Sequence, residues 1–129
     1  MISVLSALNK WERQEFNYGT VDCCQFTGFI VKELTGKDYL EDFYYNSETD
    51  AGTIINSFGD LIDTASSVLG KPTTDIDSLP NGSPVIVIQH GMQIMGVKLS
   101  DTAVCLVKKG MIRIPSDHIK VGWDVCLKQ

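Results

Sequence analysis

Two adjacent cysteines follow an aspartate in the segment NYGTVDCCQFTG, residues 17–28. Aspartate often caps helices, so Asp22 predicts that Cys23 stands in the first turn of a helix. Unpaired backbone N–H groups and the positive end of the helix dipole lower the pKa of a thiol there and favour the nucleophilic thiolate. The same N–H groups can bind an oxyanion. The alternative is that Cys23 and Cys24 only fill space in the core, as buried cysteines often do.

The helix that would carry these cysteines lies in a helical first half of the chain. Apolar residues there recur at spacings of three and four, which is the period of an amphipathic helix. The predicted helices span residues 2–15, 23–34, 50–58 and 60–69. In the second of them Cys23 shares a stripe with Phe26 and Ile30, so we expect Cys23 on the buried face.

The second half of the chain has the pattern of β-strands. Short runs rich in valine and isoleucine alternate with glycine, asparagine, aspartate and serine. The predicted strands are residues 84–89, 94–99, 103–107, 111–114 and 122–127. Helices followed by such strands predict an α+β domain in which the cysteine helix packs on one face of an antiparallel sheet of four to six strands. With 129 residues and 43% hydrophobic content, we expect one domain over residues 1–129.

Charge and composition exclude several classes of function. The formal net charge is −5 and the lysines are scattered along the chain, which argues against nucleic acid as a partner. The N-terminus lacks a basic start followed by an apolar run and a cleavage site, and no apolar stretch approaches the length of a membrane span. We therefore expect no membrane span and a protein that is not exported by a signal peptide.

The cysteines and histidines indicate neither a disulfide framework nor a metal site. Adjacent cysteines pair only under strain, and Cys105 and Cys126 lie in apolar, strand-like runs where a thiol packs well. We predict that all four cysteines are reduced. No C-x-x-C spacing occurs, and His90 and His118 lie far apart, so we expect no zinc site and no cofactor.

Several short motifs are shared with a known enzyme family. They are F-x-Y-G-x-x-D-C at residues 16–23, E-x-x-G-x-D at residues 33–38, and Gly82 immediately before the first strand region, SPVIVIQ. This order resembles the NlpC-type cell-wall endopeptidases of the papain-like superfamily, and is most similar to a small branch found in phages and prophages. The resemblance implies a papain-like fold with N-terminal helices packed on a C-terminal antiparallel sheet.

The resemblance also implies roles for the residues around the cysteine pair. Cys23 matches the family's catalytic nucleophile, and Cys24 falls where the family often carries serine. Tyr18 and Asp22 belong to the same motif, so Tyr18, Asp22 and Cys24 are expected to line the substrate site.

The family's general base does not have an obvious counterpart. It is a histidine on the second sheet strand, in a pattern like G-H-V-G, and aligning Gly96 with the last glycine places Ile94 at that position. His90, in the predicted hairpin QHGMQ, is the sequence candidate for the base; the alternative is a polar turn residue. His118 is expected in a loop or short helix.

Two classes of function follow from the resemblance. The first is a degenerate peptidase that acts in binding or in virion or tail assembly, with phage structural proteins as partners. The second is an active cysteine peptidase or amidase that cleaves peptide bonds of peptidoglycan, with Cys23 as nucleophile and His90 as base. A third hypothesis is an unrelated intracellular binding module. General-base assistance is worth about 10²–10⁴ in rate, so the missing histidine favours the first hypothesis, with synthesis in the host cytoplasm and a final place in the virion.

Overall fold

The computed structural model describes residues 4–125 of the chain, and within this range it has four α-helices and five β-strands. The helices are α1 (Val4–Trp11), α2 (Cys23–Thr35), α3 (Glu48–Phe58) and α4 (Leu61–Leu69). The strands are β1 (Pro84–Gln89), β2 (Met92–Leu99), β3 (Thr102–Val107), β4 (Gly110–Pro115) and β5 (Ile119–Gly122). The α+β class is confirmed, as are a helix that begins at Cys23 and a sheet of four to six strands. No helix in this range is long and apolar enough to cross a membrane.

The five strands form one antiparallel sheet in the order β4-β3-β2-β1-β5. In the central pair, Ile86 of β1 lies opposite Met95 of β2, and Val87 lies opposite Ile94. The ladder between β2 and β3 covers only residues 97–99 of β2. The first part of β2, which includes Met95, is therefore paired with β1 alone.

The two faces of the sheet are covered by different parts of the chain. On one face, α1 and α2 bury Leu8, Phe26 and Ile30 against Val97 and Leu106. On the other face, the segment before β1 packs a different set of side chains against the sheet. This far-face cluster consists of Leu79, Val85, Val87, Ala103, Cys105, Ile114 and Ile119, with Ile76 and Ile94 beside it.

Most predicted elements agree with the structure to within two residues at each end, but the last strand and the first helix differ by more. The last strand was predicted at residues 122–127, but β5 ends at Gly122 and residues 123–125 are not strand, while 126 and 127 lie outside the described residues. Trp123 still donates its backbone N–H to the carbonyl of Pro84 over 3.0 Å, and its buried indole N–H donates to the carbonyl of Gly70 over 2.9 Å. Helix α1 ends at Trp11 rather than near Glu15, since the exposed polar residues 12–15 offer no packing that would extend a short helix.

Candidate functional site

Asp22 organises the start of the helix that carries the cysteines. Its Oδ1 accepts the backbone N–H of Gln25 over 2.8 Å, which is the predicted N-cap. Its Oδ2 accepts the backbone N–H of Gly19 and the hydroxyl of Tyr45, each over 2.8 Å. The carboxylate is buried and receives three donors, so it fixes the preceding loop and the first turn of α2 together.

The backbone conformation and surroundings of Gly19 explain why the motif before Asp22 contains a glycine. Its φ is +91°, in the region that side chains disfavour. A Cβ at this position would also collide with the backbone carbonyl of Tyr45. The loop ahead of α2 therefore lies directly against the chain around Tyr45, and only glycine permits that approach.

Cys23 and Cys24 are half-buried and pack against a cluster formed by α4, the sheet and Trp123. The Cys24 thiol donates to the Cys23 sulfur, and this bond lowers the pKa of Cys23 below its usual range. Burial opposes the shift, while the backbone N–H of Met95 and that of Cys24 add to it. The pKa of Cys24 is raised well above its usual range because its proton is held by Cys23 and its partial burial disfavours the charged form. Cys23 is therefore the thiol of the pair that ionises more readily.

The residue of β2 that belongs to this cluster is Met95. Successive side chains of a strand point to opposite faces. Met95 lies in the cluster beside Cys23, whereas its neighbour Ile94 packs with Val87 and Cys105 on the far face. The position that the glycine alignment assigned to the family's histidine thus points away from Cys23.

His90 lies in the turn between β1 and β2, exposed and with a φ of +52°. His90 lies four residues after Ile86, and Ile86 pairs with Met95. Four residues of a strand span about 13 Å, at about 3.3 Å per residue. Within residues 4–125 no histidine is hydrogen-bonded to Cys23. The structure does not bring His90 to Cys23, and its catalytic role stays a prediction.

His118 ends a short 3-10 helix, Ser116–His118, as the sequence predicted for a loop or short-helix residue. Its side chain is exposed, and Nε2 lies 3.9 Å from Oδ1 of Asp117. It therefore belongs to the connection between β4 and β5 and not to the cysteine site.

Tyr18 lies at the rim of the site, beside two residues that no sequence motif singles out. The Nζ of Lys108 lies 5.8 Å from the centre of the Tyr18 ring and 3.5 Å from Oε1 of Glu48. Burial, followed by the charge of Glu48, raises the pKa of Tyr18. Ionisation of Cys23 would add to this increase, which places Tyr18 within electrostatic range of the Cys23 sulfur.

Tyr45 is the other site residue that sequence analysis did not identify. Burial raises its pKa, and the charge of Asp22 raises it further, so the phenol stays neutral and acts as a donor. Its neighbour Tyr44 is 86% exposed. No spacing in the sequence distinguishes the two tyrosines, because the selection depends on contact with Asp22, 23 residues away.

The site contains free thiols, and the residues that the structure describes form no ready metal site. Cys23, Cys24 and Cys105 are free, and Cys126 lies outside the described residues. Within the part of the chain that the structure describes, no three histidine, cysteine, aspartate or glutamate side chains are grouped so that they could hold a metal ion. The groups at the site that are suited to chemistry are the Cys23 thiol, its hydrogen-bond donors and the N-terminus of α2.

Comparison with known proteins gives a family without an assigned activity. The chain belongs to the DUF6950 family, a domain of unknown function, which matches residues 3–125. No curated protein and no solved structure matches the chain.

Proposed function

We propose that this protein is an NlpC-like domain of phage or prophage type that keeps the nucleophile position of a cysteine peptidase without a positioned base. It acts in binding or in virion or tail assembly, with phage structural proteins as partners. The observation that carries the proposal is that Met95 is the β2 residue in the cluster beside Cys23. A thioether cannot take a proton from the nucleophile or return one to the leaving amine.

The proposed relationship to papain-like peptidases is supported by the order of the elements around Cys23 and by the way they pack. An aspartate-cysteine pair begins a helix, that helix packs on an antiparallel sheet, and a glycine in the preceding loop allows close approach of the chain. These features follow the motifs at residues 16–23 that the NlpC-type endopeptidases share.

The alternative function is an active peptidase or amidase that cleaves peptide bonds of peptidoglycan. The lowered pKa of Cys23 favours it, since a thiolate can attack a carbonyl carbon and the first-turn N–H groups can hold the oxyanion. The amine that leaves must then gain a proton. The Cys24 thiol is a poor donor because its pKa is raised well above the usual range, so this second step lacks a catalyst within the site.

Hydrolysis of purified peptidoglycan fragments distinguishes the two functions. Wild type, Cys23→Ala and His90→Ala are compared, with circular dichroism as the check that each variant is folded. Turnover by wild type that does not exceed the Cys23→Ala background supports the proposal. Robust turnover that is lost in both variants overturns it and assigns the base to His90.

A further inference from the structure

Strand β4 forms one edge of the sheet and presents a regular row of backbone N–H and C=O groups. It pairs with β3 over all six residues without a register shift, and in the part of the chain that the structure describes it forms no other ladder. Natural proteins usually interrupt such edges with bulges, prolines or charges, because a free edge can accept another strand. Here Pro115 stands at the end of β4, and the one charged side chain within it is Arg113.

A groove lies beside this edge on the helix-covered face of the sheet. It has a volume of about 290 Å³, and alternate β4 residues, Met111 and Arg113, line it together with α1 and β3. From α1, Leu5 lines the groove while 58% exposed. Side chains of a strand added to β4 would alternate between the two faces, so every second one would enter this groove.

The charges around β4 indicate which kind of peptide strand this edge would bind. Residues 102–115 contain Lys108, Lys109 and Arg113 and no aspartate or glutamate, in a chain with a net charge of −5. Lys108 forms an ion pair with Glu48, but the side chain of Arg113 makes no ion pair or hydrogen bond with any residue that the structure describes. One carboxylate, Glu12, lines the groove, and it lies on the α1 side. The free guanidinium is suited to a carboxylate from another chain.

We infer that β4 binds an extended acidic peptide of a partner protein by β-strand addition. Backbone hydrogen bonds to β4 supply affinity, an apolar side chain occupies the groove beside Met111, and a carboxylate pairs with Arg113. This interaction does not depend on whether Cys23 hydrolyses any substrate.

The test uses a fluorescein-labelled peptide with threonine at odd positions and leucine and glutamate alternating at even positions. Its binding to the full chain is followed by fluorescence anisotropy, and hydrogen exchange of residues 110–115 reports where it binds. We expect saturable binding with slower exchange at β4, and weaker binding by the same peptide with lysine in place of glutamate. A peptide methylated on alternate backbone nitrogens should also fail to bind.

Two charge reversals locate the interaction. Arg113→Glu should weaken binding about five- to tenfold, as expected when an exposed ion pair becomes a repulsion. Lys120→Glu is the matched control, because Lys120 is exposed on β5 at the opposite edge. Absence of binding at millimolar peptide, equal binding of the lysine peptide, or equal losses in the two variants would overturn the inference. Self-association of the chain through β4 in place of peptide binding would overturn it as well.

Discussion

The hydroxyl of Tyr45 donates to Oδ2 of Asp22 over 2.8 Å and thereby joins the loop before α3 to the cap of the cysteine helix. The same oxygen receives the N–H of Gly19, and Oδ1 receives that of Gln25. One buried carboxylate therefore connects three segments of chain. The position of Cys23, the next residue, depends on this network.

Removal of the carboxylate should destabilise the protein by more than the loss of an ordinary helix cap. We expect Asp22→Ala to lower the free energy of unfolding by about 2–3 kcal/mol, because the lost cap costs about 1 kcal/mol and the Tyr45 hydroxyl is left unsatisfied. Tyr45→Phe should cost about 1 kcal/mol. Urea denaturation measures both. Ser47→Ala is the control, since Ser47 caps α3 through a single bond to Asp50. Equal losses for Asp22→Ala and Ser47→Ala would show that the network adds nothing to the cap.

The local parts of this site could be predicted from sequence and the distant parts could not. Asp22 as a cap and Gly36 as the αL residue that ends α2 follow from propensities of neighbouring residues. Tyr45 and Lys108 reach the site only through the tertiary fold. The strand register decides on which face of the sheet Ile94 lies, because a shift of one residue moves a side chain to the opposite face.

The buried thiol of Cys105 should make stability fall at alkaline pH. Burial raises its pKa to about 12 in the folded protein, against about 8.5 for a free cysteine. The neutral thiol therefore favours the folded state fully below about pH 8.5, and this contribution is lost as the pH rises towards about 12. The slope approaches about 1.4 kcal/mol per pH unit between these limits. Urea denaturation from pH 8 upward should show a shallower decline in Cys105→Val, and parallel declines would contradict the assignment.

The cysteines should react unequally with iodoacetamide near neutral pH. We expect Cys23 to be alkylated first, since its pKa is lowered, and Cys24 and Cys105 to react slowly because their pKa values are raised. Peptide mass spectrometry over a time course gives the three rates. Equal, slow modification of Cys23 and Cys24 would instead indicate that the pair serves only in packing.

Two glycines offer a matched pair of stability tests. A Cβ at Gly96 would lie 2.5 Å from the carbonyl oxygen of Val104 and 2.6 Å from the Cys105 sulfur, so Gly96→Ala should cost about 1–3 kcal/mol by forcing β2 and β3 apart. Gly52 lies within α3, and a Cβ there would have open space around it. Gly52→Ala should therefore raise the free energy of unfolding by about 0.5–1 kcal/mol. Thermal or urea denaturation that gives the same sign for both would contradict the packing between β2 and β3.

Met95→His tests whether the missing base limits the chemistry of Cys23. The substitution places an imidazole on the sheet face that carries the cysteine cluster, whereas Ile94→His places one on the far face as a matched control. A well-positioned base is worth about 10²–10⁴ in rate, so even an imperfect one should raise hydrolysis of peptidoglycan fragments by at least about tenfold over wild type. The alkylation rate of Cys23 in Met95→His should also acquire a dependence on a group that titrates near about pH 6.5. Denaturation curves establish that both variants are folded. An increase in Ile94→His, or an unchanged pH profile of Cys23 in a folded Met95→His, would mean that Met95 does not occupy the position from which a base could act.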